Sequence, residues 1–447
     1  MRSLARAVRI RCVLVLLMGL AFGSCRQAMA GVLSYRGKIT LDPSTAELAE
    51  KLTIRFAAPA QGADQLVLYL NKDLAISSLS CRSCLSHEEG PLNERIDARP
   101  VIIKFRQRLR PGEIADIHLQ AHGKLTDVSR ETNSFASPWV ELSIDSGWYP
   151  YEPEARNFRF DLRVNIDPGY KLAGNGKVSG GNGTWRLVQK DASPDIDLIA
   201  APAWTTSELR VQALNIRMIA VNVPPVTLQR FAQQAGSSTR TYSEWFGQAA
   251  GHDLTIVLSP RQGGSSYSRP GYVSLAYSPP AEPDRLLFTL AHELAHFWWS
   301  RAPSWSWENW LNEAFAEYSA LMYIRKSQGE AAFRELMLQR VQRARNQPPI
   351  WGVGRNSGTY ARVIYAKGAV RLLQLEQMIG QEQFRRLLAM LVRKHINTTQ
   401  DFLDELQAES SPEMRMRFER LLKDQRPWRA RRARVRSVGS MDRRRRK

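Results

Sequence analysis

His292-Glu293-Leu294-Ala295-His296 sets two imidazoles four positions apart in a chain of 447 residues. On a helix, positions i and i+4 share a face one turn apart, so both rings can reach one metal ion. Glu293 stands beside that face, close to the ion but not on it. Sixteen residues separate His296 from Glu313, and Glu313, carried on a second helix, supplies a third ligand. Two histidines, one carboxylate and an open fourth position are what a catalytic zinc ion requires. Zinc held this way acidifies a water, and the adjacent glutamate is placed to take the proton. The same pentapeptide also fits a plain helix with two satisfied histidines, but the surroundings argue for a site. Thr289-Leu290-Ala291 and Phe297-Trp298-Trp299 give the helix apolar flanks, Asp284 after Pro283 suits an N-cap, and two of only seven histidines stand at ligand spacing.

The elements that must hold these groups are legible in outline. From Gly31 to about Ser207 short alternating runs are separated by Gly, Pro and Asp turns, which predicts an antiparallel β domain over 31–207. Arg210 to Val223 reads as a strand pair crossing into the next domain. Leu228–Phe246 reads as a helix and Leu254–Leu258 as a buried strand. A Gly/Ser-rich turn and the strand Tyr272–Tyr277 then lead to the histidine helix. After Gly329 apolar residues recur at three- and four-residue spacing, predicting a run of helices over 331–425. Cys81 and Cys84 form a lone C-x-x-C pair, too few for a structural zinc site, and read best as a local disulfide.

The histidine motif followed by Trp310-Leu311-Asn312-Glu313-Ala314-Phe315-Ala316-Glu317-Tyr318 resembles the aminopeptidase-N-like gluzincins, a family of zinc metallopeptidases. Tyr365-Ala366-Lys367-Gly368 is similar to that family's Tyr-x-Lys-Gly motif. Trp148-Tyr149-Pro150-Tyr151-Glu152-Pro153 is similar to the end of its N-terminal β domain. The resemblance runs from about Glu141 to about Gly380. It implies a multidomain α+β chain: an N-terminal β domain, a thermolysin-like catalytic domain over 208–330 and a short helical subdomain over 331–425. It implies a peptide substrate and one zinc ion on His292, His296 and Glu313, with Glu293 as the base. Tyr365 would donate its hydroxyl to the tetrahedral oxyanion, the alternative being a packing tyrosine. Glu141 would contact the substrate's free amine, the alternative being a solvent-facing strand glutamate.

Four departures bear on specificity and support. Ser268 occupies the place of the family's amine-binding Glu. The loop between His296 and Glu313 is two residues shorter than usual, and its tryptophans at 298, 299, 305 and 307 read as packing or as a substrate platform. The family's carboxylate seven residues after the Glu ligand is replaced by Ala320. Glu317, one turn after Glu313, either orients a ligand histidine through its far ring nitrogen or lies on the surface. No long C-terminal helical domain follows, so an open cleft is expected. Together these imply aminopeptidase-like cleavage with relaxed specificity.

Net charge is +20, most of it at the two ends: five arginines lie in residues 1–30, and ten arginines and a lysine lie in 426–447. The body is therefore not marked as a nucleic-acid binder. Arginines, an apolar run from Cys12 to Phe22 and Ala28-Met29-Ala30 read as a secretory leader over 1–30 cleaved after Ala30. A lipid anchor at Cys25 or an uncleaved anchor remain alternatives, and the mature protein is expected in the periplasm or outside the cell. The tail 426–447 cannot bury a core, and is either a solvated end or a contact for anionic surfaces and polyanions. The rival function is a catalytically silent peptide- or polyanion-binding protein on the same fold.

Overall fold

The computed structural model describes residues 30–126, 132–153, 158–211, 214–248, 253–261, 264–277 and 283–425. The expected leader up to residue 29 and the basic tail lie outside the described residues.

Alternation builds the N-terminal region. In Glu47–Ala57, Leu48, Glu50, Leu52, Ile54 and Phe56 are buried, while Glu47, Ala49, Lys51 and Arg55 face solvent. That period-two row lies in a seven-stranded sheet, accompanied by a three-stranded and a four-stranded sheet around one core. Among the described residues of this region strand pairing is antiparallel with one exception: Gly31–Asp42 runs parallel to Phe158–Asn165. More than a hundred residues of intervening strands connect these two, long enough for a parallel crossover. Cys81 and Cys84 are joined in a disulfide.

A five-stranded mixed sheet begins the second region, in the order Thr205–Val211, Leu214–Ala220, Asp253–Ser259, Tyr272–Ala276, Tyr267–Arg269. The expected strand pair is its first hairpin. Trp139, Ala173, Ile199 and Ala201 of the β region pack against Ile219, Val257, Tyr267 and Tyr272 of this sheet. The two regions therefore share a small apolar joint.

The helices are α1 (Pro225–Phe246), α2 (Pro283–Ala295), α3 (Trp310–Gln328), α4 (Glu330–Ala344), α5 (Gly368–Ile379), α6 (Gln381–Arg393), α7 (Thr399–Glu409) and α8 (Pro412–Lys423). α3 is buried almost all round, from Trp310 to Ile324. A helix with no polar face must sit at the centre of its domain, and α2, α4 and α5 pack around it. Tyr365, expected at the start of a helix, instead lies inside a π-helical segment, Arg362–Lys367, that runs directly into α5. No helix among the described residues is long and apolar enough to cross a membrane.

Candidate active site

α2 carries His292, Glu293 and His296, and α3 carries Glu313 and Glu317. The Tyr242 hydroxyl of α1 donates to the Ala291 carbonyl (3.0 Å), tying α2 to its neighbour just before the first histidine. The shortened loop is closed by the Asn312 side chain. Asn312 accepts from the Ala302 amide at 3.0 Å and donates to the Ala302 carbonyl at 2.9 Å. That two-way clamp starts α3 in register despite the missing residues. Trp298 and Trp299 pack in the core, Trp307 lies against Trp351 at 5.0 Å, and Trp305 is exposed.

The structure brings His292, His296 and Glu313 together, one ligand atom of each lying within 4.8 Å of the others. Glu313 Oε2 is 3.5 Å from His292 Nε2 and 3.4 Å from His296 Nε2. Tetrahedral zinc with bonds of 2.0–2.1 Å sets its ligand atoms ~3.3 Å apart, so these distances fit the ion. Glu313 Oε2 is buried and has no hydrogen-bond partner, a lone pair with no other use. Each far ring nitrogen faces an oxygen. His296 Nδ1 donates to the Trp299 carbonyl at 2.9 Å, and His292 Nδ1 lies 3.0 Å from Glu317 Oε2. Each contact leaves Nε2 facing the pocket, the arrangement that orients metal-bound histidines.

Glu317 is buried, not on the surface, and its other oxygen accepts from Arg340 Nε of α4 at 2.8 Å. Arg340 is absent from the sequence reading. Its signal was there: Phe333, Met337 and Arg340 form one apolar stripe of α4, and an arginine in such a stripe needs a buried anion.

Electrostatics follow from crowding. Burial alone would lower His292, but the close Glu313 and Glu317 carboxylates outweigh it and raise the ring to about 10. Burial pushes Glu313 up, but the two histidines hold it well below the ordinary carboxylate range. The carboxylates that retain protons on two imidazoles would serve equally to hold a divalent cation in their place. Glu293 is raised, by burial first, with His292 and His296 opposing; raising suits a carboxyl that must both take and return a proton. Tyr365 stacks on His292, with centroids 5.7 Å apart and planes at 22°. Its hydroxyl is raised well above the ordinary value, by burial first and then by Glu313, so it keeps its proton and can donate it.

Glu141 departs from both expectations. It is fully buried at the joint between the two regions, not solvent-facing. Nor is it a free carboxylate awaiting an amine. Oε1 accepts from Ser274 Oγ (2.5 Å) and the Tyr267 hydroxyl (3.3 Å). Oε2 accepts from Trp139 Nε1 (3.2 Å) and from Ser259 Oγ, and Arg261 Nε lies 3.1 Å away. Five partners exhaust the roughly four lone-pair sites of a carboxylate. Ser268 lies on the edge strand Tyr267–Arg269, half-buried, and Arg269 beside it reaches Asp195 with Nη2 at 2.7 Å and Nε at 3.0 Å.

Residues 276–421, which hold all three ligand residues, Glu293 and Tyr365, match the peptidase family M1 domain. No curated protein matches the chain. Among solved structures, a variant of a two-domain M1 zinc metallopeptidase bound to L-tryptophan aligns with a TM-score of 0.69 at 19% identity, over 89% of this chain and 96% of that one. An M1 zinc metallopeptidase from Deinococcus radiodurans aligns equally well, at 19% identity over 89% and 95% of the two chains. A variant from Deinococcus radiodurans bound to a Tyr-Ser-Ala substrate gives a TM-score of 0.69 and 19% identity, over 90% and 96%. At that identity the likeness is one of fold: a many-stranded β domain followed by a helical catalytic region. The segment that matches the M1 domain is thus the one that carries the ligand geometry, and the chain as a whole shares the two-domain fold.

Proposed function

We propose that this protein hydrolyses short peptides from the amino end with relaxed specificity, acting outside the cytoplasm. The observation that carries the reading is the convergence of His292, His296 and Glu313 on one point, flanked by Glu293 and Tyr365. When bound there, zinc supplies a Lewis acid that polarises the scissile carbonyl and acidifies water. Glu293 takes the water's proton and passes it to the leaving amine. Tyr365 donates its hydroxyl to the carbonyl oxygen as that atom gains charge. Glu317, held by Arg340, keeps His292 oriented.

Relaxed specificity is supported by the missing amine anchors. A buried α-ammonium without a carboxylate partner costs several kcal/mol. Ser268 is no carboxylate, and Glu141 is engaged by Arg261 and three hydroxyls. The edge strand Tyr267–Arg269, hydrogen-bonded among the described residues to a neighbour on one side only, offers its backbone to an extended peptide instead. Relatives on this fold are bound to Tyr-Ser-Ala and to single amino acids, which supports short peptides as substrates. The leader-like N-terminus supports export, and the basic tail supports contact with anionic surfaces.

The test compares N-acetylated with free peptides on the zinc-loaded enzyme. Rates within about tenfold, or 1.4 kcal/mol in transition-state binding, are expected. Complete loss on acetylation would reveal an amine anchor and make the enzyme a strict aminopeptidase. Activity confined to culture cytosol after fractionation would overturn the location.

A further inference from the structure

The π-helical segment Arg362–Lys367 is the one irregular turn in an otherwise regular helix, and it carries Tyr365. A π turn spaces its residues more widely than an α turn and is poorly stable by itself, so something outside it must hold it. Two contacts do so, both within three residues of the tyrosine.

The first is Gly368. Its Cα faces α3 so closely that a Cβ there would stand 2.4 Å from the Ala314 Cβ, a distance real side chains do not reach. Ala314 follows the ligand Glu313 directly. The glycine thus lets the tyrosine's segment lie flush on the helix that carries the third ligand. The second is Lys367. Its buried ammonium donates to the carbonyls of Gln347 (2.9 Å), Pro348 (2.8 Å) and Asp424 (2.9 Å). Those carbonyls belong to the segment after α4 and to the residue after α8, so the turn is also tied to both of these.

We propose that Gly368 and Lys367 are positioning residues for Tyr365: the bare Cα sets the depth of the π turn against α3, and the ammonium ties it to the segments that follow α4 and α8, so that the tyrosyl ring stacks on His292. The proposal rests on the role given to Tyr365 above, and a double-mutant cycle separates the two. Tyr365→Phe is expected to lower kcat by about 10²-fold or more. Gly368→Ala is expected to lower kcat at least about tenfold, with KM and zinc stoichiometry unchanged, because the ligands stay in place while the hydroxyl moves. In the Tyr365→Phe background, Gly368→Ala should cost nothing further. Ala314→Gly combined with Gly368→Ala should restore kcat, since it removes the atom that the new methyl meets. Lys367→Met should likewise lower kcat in the wild-type background and not in Tyr365→Phe.

A Tyr365→Phe enzyme as fast as wild type removes the role of the tyrosine, and the proposal with it. If Tyr365→Phe is impaired but Gly368→Ala is silent, or its cost adds fully to that of Tyr365→Phe, the tyrosine keeps its role and the positioning proposal falls. If Gly368→Ala fails to fold, failure of Ala314→Gly to rescue folding and kcat overturns the proposal equally.

Discussion

Two buried clusters of charge can be compared within this fold. In the α2/α3 pocket, Glu293, Glu313 and Glu317 meet His292, His296 and Arg340. At the joint between the β region and the five-stranded sheet, Glu141, Asp195 and Asp197 meet Arg261 and Arg269. Both hold three carboxylates away from water, yet they are suited to different tasks. The joint's cations are guanidinium groups, which never give up their protons and offer five donors each. With the neighbouring hydroxyls and amides they saturate Glu141 and Asp195, while Asp197, 3.6 Å from Arg269 and without a hydrogen bond to its carboxylate, is pushed up by burial and by Asp195. The pocket's cations are mainly imidazoles, which can release protons and turn a lone pair to a metal. Glu313 Oε2 is left with no hydrogen bond. Arg340 repeats the joint's logic inside the pocket, because its guanidinium holds one oxygen of Glu317, one step back from the three ligand residues. A buried acid cluster becomes a site where its partners can leave, and a strut where they cannot.

The contrast breaks first at Glu293. Glu293→Gln should reduce peptide turnover by about 10²–10⁴-fold, the worth of a positioned general base, while zinc stays bound. Comparable turnover in zinc-loaded mutant and wild type would mean that the pocket's acid is only structural. The same substitution has a stability signature in the metal-free protein. The Glu293 carboxyl is raised on folding, by burial first. Below the ordinary carboxylate range both folded and unfolded states are protonated and burial is harmless. As pH rises through the raised value, the folded state must hold a buried anion and loses stability. Glu293→Gln should therefore raise the melting temperature at neutral pH, with the gain shrinking as pH falls.

Next comes the joint. Arg261→Ala leaves Glu141 buried without its cation and should destabilise by about 3–5 kcal/mol. Removing both charges while keeping an acceptor for the hydroxyls, as Glu141→Gln with Arg261→Met, should recover most of that loss in thermal melts. Should Arg261→Ala instead melt like wild type and sharpen preference for free amino termini, Glu141 is a substrate group and the joint is a site after all.

A smaller effect is expected at Arg340. Arg340→Met removes the partner that holds Glu317 behind His292, and zinc affinity should weaken about 10–100-fold in a chelator competition. Unchanged affinity would show that Glu317 orients the ring unaided. The smallest effect is expected from truncation after Asp424. Melting temperature and turnover should not move, because the Asp424 carbonyl that receives Lys367 and Arg371 is retained. Salt-sensitive binding to heparin or anionic vesicles should disappear. A large drop in melting temperature would make the tail part of the fold.

What could be read in one dimension is whatever depends on short spacing. An i, i+4 pair lies on one helix face in any fold, so His292 and His296 needed no tertiary knowledge. Alternation marked the strands of the β region, and three- and four-residue recurrence marked α4 to α8, because burial of one face imposes those periods. Arg340 was within reach by the same logic, as a charge set in an apolar stripe. Glu317 was half-legible: its turn of helix was plain, its burial was not, because α3 has no solvent face to betray which side is inside.

The composition and local order of this chain thus determined a helix face with two histidines at ligand spacing, the carboxyl beside it and the kinds of element that carry them. Only the tertiary structure decided which carboxylates remain available. Arg261 lies 120 positions from Glu141, and Asp195 lies 74 from Arg269. Whether such groups meet depends on how two sheets dock, which no local period records. The π turn at Tyr365 belongs to the same class. Its flanking Gly368 lies against Ala314 and its Lys367 reaches three carbonyls of distant segments, contacts that come into being only when α3, α5 and α8 are packed together.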